Sequence, residues 1–360
     1  MLAKQARLAI GLTPALRDAL RRSSTAILPE IDVALLHPAA QTDKRAAELR
    51  RLRHACESCG FFSARTTEFC PPALIQATYG VTRAFHALPA DVKQEYHHRK
   101  NRNSRGWVPL GEEPNYESDD AGAVVSHVTS FDMARDLPPD DPMVVAGVKS
   151  MGSNIWVADR HVRGFQAASQ AYYAATTDIA GILYRAFAEM MNLPPDTFTQ
   201  YFTRYARGTM RMMEYPGAAS SAAVLSARNA GITAHTDFEA FTLLHSDAPG
   251  LQLTRGAHSS DWVDAPVPDV DHQIVILGDC LEMFTNGVLQ ATRHRVLHVA
   301  QQRFSLVRFV GVQGDTLVQP LPQFGAPLYA PVTQSDHIEN AMDLAEQRRR
   351  KLAAAGITVG

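Results

Sequence analysis

The residues best placed to do chemistry gather in one stretch, GITAHTDFEAFTLL, which carries His235 and Asp237. The stretch reads as a strand, and residues i and i+2 of a strand point to the same face. His235 and Asp237 therefore present an imidazole and a carboxylate side by side, two ligands of a mixed nitrogen and oxygen metal site. The pair alone carries little weight. With 14 His and 37 acidic residues among 360, composition alone gives about 1.4 H-x-[DE] matches. Three occur: His235–Asp237, His245–Asp247 and His337–Glu339.

What distinguishes the first is its sequel. PGLQL, Trp262-Val263, VILGDCLEMFTNG and ATRHRV follow in turn, and the last holds His294. A third ligand from a distant strand is how a barrel gathers two His and one carboxylate. That set leaves adjacent coordination positions open, the arrangement of non-haem Fe(II) chemistry with O2. Nine residues after His294 comes Arg303-Phe304-Ser305. Arg303 and Ser305 share a strand face, and a guanidinium plus a hydroxyl is a natural grip for a carboxylate.

These side chains need a scaffold. From about residue 201, short apolar runs recur at intervals of about ten residues, broken by Gly, Pro, Asp and Asn: TMRMMEYPG, FTLLHSDAPG, LQLTRGA, QIVILGDC, EMFTNG and FSLVRFVG. That spacing predicts an antiparallel sandwich or barrel. Upstream, ILPEIDV (27–33) reads as a strand and 42–59 as a helix. Asp91 to Lys100 reads as a helix end. The basic HHRKNRNSRGW then runs into the acidic EEPNYESDD, either a solvated loop or a lid over a site. A long helix is expected over about 159–192, stopping before Pro194-Pro195, and a last one over Gln334–Ala355. The fold class is α+β with an all-β core.

Composition sets the outer limits. Lys and Arg number 35 against 37 Asp and Glu, a net charge of −2, which argues against nucleic acid as a partner. No apolar run reaches the roughly 20 residues of a membrane span. The Arg-rich N-terminus lacks a signal-peptide core and reads as a short surface helix, with a transit peptide as the alternative. Cys56 and Cys59 form a C-x-x-C with no second pair, so buried free thiols or a redox pair are expected rather than a zinc site. Four Cys in 360 residues point to a reducing compartment, and the expected location is the cytoplasm.

In this setting the chain resembles the isopenicillin N synthase-like Fe(II)/2-oxoglutarate oxygenases. EYPG, AHTDFEAFTLL, PGLQL, GDCLEMFTNG, ATRHRV and RFSLVRF fall in that family's order and spacing. ILPEIDV, ACESCGFF, RGWVPL and SFDMARDLPPDDP look like its N-terminal and middle segments. The resemblance implies a distorted double-stranded β-helix (jelly roll) core wrapped by N-terminal helices and a C-terminal helix. It implies one structural unit, with an N-terminal region over 1–200, the core over 201–330 and the last helix over 331–360. It implies that His235, Asp237 and His294 are catalytic and bind Fe(II). Arg303 and Ser305 would hold the distal carboxylate of 2-oxoglutarate, helped by Tyr215. O2 would complete the set.

Two positions depart from the family. Met213 stands where an Asn is frequent, and Val128-Thr129 where a Lys-Glu pair is frequent. Both lie where the family varies with substrate. Arg211, Met213 and Tyr215 share a face if the strand alternates. Arg211 is then expected to meet an anionic group of a substrate or to form a structural salt bridge. Phe238 and Phe241 are expected to line the pocket or pack the core. His245, His258, His272 and His298 are expected to be structural or on the surface.

The activity implied is oxidation of an unactivated C–H bond of a small molecule, by hydroxylation, desaturation or ring formation. Asp237 argues against halogenation, because a bound carboxylate fills the place a chloride would take. The Ala- and Arg-rich sequence suits a GC-rich bacterial genome, and natural-product biosynthesis is the expected setting. Two alternatives stand: an Fe(II) oxidase of the isopenicillin N synthase type that does not use 2-oxoglutarate, and a non-catalytic metal-stabilised binding barrel. The substrate and the oligomeric state are not legible in the chain.

Overall fold

The computed structural model describes residues 28–116, 125–217, 229–254, 262–298 and 300–356. The N-terminal segment read as a surface helix, and His258, lie outside the described residues.

The helices that matter for the site are α1 (Thr42–Ser58), α2 (Pro72–His86), α3 (Phe165–Met190) and α4 (Gln334–Ala354). The strands are β1 (Glu30–Asp32), β2 (Phe61–Arg65), β3 (Gly106–Val108), β4 (Val125–Ser126), β5 (Thr129–Met133), β6 (Met210–Tyr215) and β7 (Asn229–His235). After them come β8 (Phe241–Ser246), β9 (Leu251–Thr254), β10 (Trp262–Asp264), β11 (His272–Leu277), β12 (His294–Leu297) and β13 (Arg303–Val310).

One sheet runs β1-β2-β11-β8-β13-β6-β5-β3, and a second runs β10-β9-β12-β7-β4. Pairing is antiparallel except at the edges, where β1 runs parallel to β2 and β4 to β7. The two sheets face each other as a jelly roll, and the α+β class expected from the sequence holds. The N-terminal strands β1, β2, β3 and β5 are hydrogen-bonded into the larger sheet, so the N-terminal segment builds part of the wall itself.

The larger sheet is apolar on both faces, and period-2 alternation sorts its side chains. Met212, Leu243, Val275 and Leu306 join the core shared with Tyr172, Leu183 and Phe187 of α3. Their neighbours Met213, Leu244, Ile274 and Val307 join a second core with Ile232, Leu251 and Val296 of the facing sheet. Both α1 and α2 pack on α3. That helix begins at Phe165, later than its pattern suggests, because residues before it form turns closed by Gly164 at φ +75°. Its far end closes with Asn192 at φ +58°, two residues before Pro194.

Cys56 is buried at the end of α1 and Cys59 half-buried, and neither forms a disulfide. Burial pushes the Cys56 thiol upward, which suppresses the reactive thiolate. Among the described residues, no helix is long and apolar enough to cross a membrane.

Candidate metal centre and its cavity

β7 ends at His235, Asp237 follows in the turn into β8, and His294 opens β12. Antiparallel pairing of β12 with β7 sets His294 directly opposite His235. The three side chains converge, with one ligand atom from each lying within 4.8 Å of the others. Each histidine Nε2 stands 3.6 Å from Asp237 Oδ1, and the two rings are 4.4 Å apart. These distances are too long for hydrogen bonds and leave room for an ion at the centre.

Local contacts aim each ligand. His235 Nδ1 donates to the Thr233 carbonyl at 2.7 Å, and His294 Nδ1 to the Thr292 carbonyl at 3.0 Å. Each Nδ1 thus carries a proton, which turns each Nε2 toward Asp237; the Asp237 carboxylate outweighs burial at His235 and raises its imidazole. Thr242 Oγ1 donates to Asp237 Oδ2, so Oδ1 faces the imidazoles. Burial raises the Asp237 carboxyl, but the two imidazoles and Thr242 outweigh it and hold the group below the usual carboxylate range. Burial lowers the His294 imidazole and keeps it neutral.

The GDC stretch explains itself here. Asp279 N donates to the Asp237 carbonyl at 2.9 Å, and Cys280 N to the Glu239 carbonyl at 3.1 Å. Gly278 lies so close to that turn that a Cβ would sit 2.4 Å from the Glu239 carbonyl oxygen. The glycine lets the backbone after β11 clamp the turn that carries Asp237.

Tyr215 lines the cavity beside the triad, and Arg303 and Ser305 lie behind that lining on β13, paired with Tyr215 and Met213 of β6. Arg303 pairs with Tyr215 across β13 and β6, and its guanidinium lies 4.6 Å from the Tyr215 ring centroid. Arg303 and Ser305 are fully buried. Arg303 Nε donates to the Ala248 carbonyl at 3.1 Å, whereas Nη1, Nη2 and Ser305 Oγ have no partner among the described residues. A buried guanidinium with two free donors beside a free hydroxyl fits a ligand carboxylate. Met213 replaces an amide acceptor with a thioether: the Tyr215 hydroxyl reaches its Sδ at 3.7 Å.

A cavity of about 720 Å³ opens from the metal triad toward the surface, lined by Arg211, Met213, Tyr215 and Phe238 among others. As the alternation predicts, Arg211, Met213 and Tyr215 share its wall. At two positions the structural alternative holds, and the substrate role given to Arg211 and Phe241 is corrected. Arg211 does not stand free for a substrate anion: it forks onto both Glu113 oxygens at 2.8 and 2.7 Å and donates to Asp132 at 3.0 Å. Its position is the structural salt bridge. Phe241 is fully buried away from the cavity, edge-on to Tyr184 and Phe187 of α3. The turn between Asp237 and β8 resets the alternation, so Thr242 faces the site and Phe241 the helices.

Several residues around the site escaped the sequence reading. Tyr116, from the acidic loop, lies over His235 at 5.0 Å between ring centroids. Glu113 of that loop is buried on Arg211 and accepts from the Tyr116 hydroxyl. The only sequence signal for either is the charge switch of the loop itself. Glu239 lines the cavity, and burial, reinforced by Asp237, pushes it up to about 7. His97, His98 and Glu112 also converge near the cavity mouth, but Arg99 sits on the same Glu112 carboxylate at 2.9 Å. His245 is buried between the Tyr79 hydroxyl and the Asp269 carbonyl, and His272 pairs with Asp271. His298 is buried against His127.

Residues 28–159 match the family described as the non-haem dioxygenase N-terminal region of morphine synthesis, and residues 202–312 the 2OG-Fe(II) oxygenase superfamily. The chain is 28% identical over 306 residues to a 2-oxoglutarate-dependent dioxygenase, citB, of Monascus ruber, covering 84% of this chain and 90% of that protein. It is 29% identical over 311 residues to the clavatol oxidase claD of Penicillium crustosum, covering 83% and 89%. The fold matches that of a full-length Neurospora crassa protein crystallised in complex with alpha-KG, at a TM-score of 0.74 and 19% identity, covering 88% of this chain and 96% of that one. The chain belongs to the 2OG-Fe(II) oxygenase superfamily. It is an oxidoreductase, a dioxygenase that uses Fe(II), 2-oxoglutarate and O2.

Proposed function

We propose that His235, Asp237 and His294 are the Fe(II) ligands and that Arg303, Ser305 and Tyr215 hold 2-oxoglutarate by its distal carboxylate. The observation that carries this reading is the pairing of two features. Three ligand atoms lie within 4.8 Å, and the buried Arg303 keeps two partnerless donors beside Ser305. Iron with 2-oxoglutarate and O2 supplies oxidative decarboxylation to succinate and CO2, coupled to oxidation of an unactivated C–H bond.

The chain's own residues do the positioning. Thr233 and Thr292 carbonyls fix the two imidazoles, and Thr242 fixes the carboxylate. Tyr116 and Phe238 cover the His235 side and keep water from it. Glu113, Asp132 and Arg211 form a rigid ion-paired wall above Met213. The substrate is a small molecule that enters the cavity, and the reaction is a tailoring step of natural-product biosynthesis. In support of that setting, relatives include a fungal clavatol oxidase. The segments 1–200, 201–330 and 331–360 act as one unit, since strands before residue 200 pair with strands after it.

The test is O2 uptake and succinate release by the Fe(II)-loaded protein, with and without 2-oxoglutarate. Succinate that appears only with 2-oxoglutarate, and is lost in Asp237→Ala, is the expected result. O2 uptake that never needs 2-oxoglutarate would overturn the reading in favour of an oxidase.

A further inference from the structure

We propose that the cavity wall carries an anion subsite, formed by Arg102 and Arg135 and backed by Arg105 and Arg308, that takes the carboxylate of an organic-acid substrate. The inference rests on the inner-site reading above and names the class of molecule that site oxidises.

Most cations on the cavity wall are matched. Arg99 sits on Glu112, Lys149 on Glu339, Arg204 on Asp141, Arg211 on Glu113, and Arg349 and Arg350 on Glu346. One corner is not. The Arg135 guanidinium makes no hydrogen bond or ion pair among the described residues, yet it lines the cavity. Arg102 also lines it, and its side chain donates only to the Val144 carbonyl, at 3.2 Å. The two belong to segments tied together, since Arg105 donates to the Arg135 carbonyl at 3.0 Å.

Behind these two stand two buried guanidiniums that carbonyls solvate. Arg105 is buried and spends its donors on the carbonyls of Arg135, Gly152 and Ser150 and on the Asn154 side chain. Arg308 is buried, donates to the Phe309 carbonyl, and keeps a partnerless Nε. Gly208 of the cavity wall packs directly on Arg308, where a Cβ would lie 2.4 Å from Nη1. Asp136 acts on Arg105 from a distance, but its oxygens already accept from the Asn154 backbone and the Trp156 indole.

Glu239 acts on Arg308, as Asp136 does on Arg105, but neither forms an ion pair with its arginine among the described residues, and buried charge without a contacting counter-charge is costly. Burial pulls the Arg105 guanidinium down to about 10 and lowers Arg308, with Arg135 adding to the repulsion on Arg308. An anion at this wall relieves that repulsion and pairs with the guanidiniums of Arg135 and Arg102, a natural grip for a carboxylate. Apolar groups on the same wall, Val108, Phe309, Ile338 and Met342, suit the hydrocarbon body of such an acid.

The test is anaerobic calorimetry on the protein loaded with Fe(II) and 2-oxoglutarate, so that the Arg303 grip is filled. The probes are 4-phenylbutyrate, its neutral amide, and inorganic phosphate alone. The acid is expected to bind at least tenfold more tightly than the amide, and R135Q and R102Q each to shrink that preference. The double variant should abolish it. Because neither guanidinium holds the fold, both variants should keep the unfolding midpoint of the wild type. Equal binding of acid and amide, a preference untouched by both substitutions, or phosphate binding as tightly as the acid would each overturn the proposal. Binding of 2-oxoglutarate, measured in the same preparation, separates the two readings. If it is intact while the acid preference is missing, only the subsite fails. If 2-oxoglutarate does not bind, the inner-site reading fails with it.

Discussion

A metal ligand works only if something else fixes its orientation, and in this chain that work falls to Thr233, Thr242 and Thr292. Thr242→Val removes the hydrogen bond to Asp237 Oδ2 and keeps the shape. It should weaken Fe(II) affinity by roughly 10- to 100-fold, as outer contacts of metal ligands do, read by anaerobic metal titration. Arg303→Gln removes a buried charged fork whose other contacts are the Ala248 carbonyl and the Tyr215 ring. A charge-assisted bond is worth about 1.5–3 kcal/mol, so the KM for 2-oxoglutarate should rise roughly 10- to 100-fold. Phe241→Ala should instead cost about 3–5 kcal/mol of stability, measured by denaturant unfolding, and leave that KM unchanged. At this scale the candidate ligands and the candidate carboxylate grip could be named from the order and spacing of their motifs, although Asp237 falls in the turn after β7 and not on a strand face with His235. Phe241 was ambiguous because alternation does not survive the turn at residues 238–240. Glu113 and Tyr116 were invisible because a loop has no period, and only the fold brings it over His235.

Among the elements, β8 carries both site and core on adjacent residues. His245 sits at its far end, buried between the Tyr79 hydroxyl of α2 at 2.9 Å and the Asp269 carbonyl at 3.2 Å. Burial pushes its imidazole down from 6.5 to about 4. The folded state therefore stays neutral while the unfolded chain takes up a proton below pH 6.5. The contribution is fully present above that pH and is lost as pH falls toward 4, on the order of 3 kcal/mol. Unfolding midpoints in denaturant at pH 7.5 and pH 4.5 should show the loss, and His245→Gln should flatten it. Strand positions in the C-terminal half were readable because turn residues punctuate them. The start of α3 was not, since apolar spacing continues through the turns before Gly164.

For the whole molecule, the larger sheet is the organising feature. Strands from before residue 134 flank on both sides a central block of strands from after residue 209, so one cooperative unit is expected. The N-terminal strands have no separate sheet, which fits the single unit expected from the sequence. Ligands that bind the folded state stabilise it by about 2.7 kcal/mol at 100 times their Kd. Fe(II) and then 2-oxoglutarate should each raise the thermal midpoint of a single transition. A purely structural metal barrel would respond to the metal and not to 2-oxoglutarate.

The central claim is that His235, Asp237 and His294 form one iron centre that 2-oxoglutarate joins through Arg303 and Ser305. Anaerobic Fe(II) titration of the metal-free protein, with and without 2-oxoglutarate, tests it most directly. The account predicts one equivalent of Fe(II), bound more tightly with 2-oxoglutarate present, and loss of that equivalent in Asp237→Ala and His294→Ala. Undiminished Fe(II) binding by both variants would contradict it.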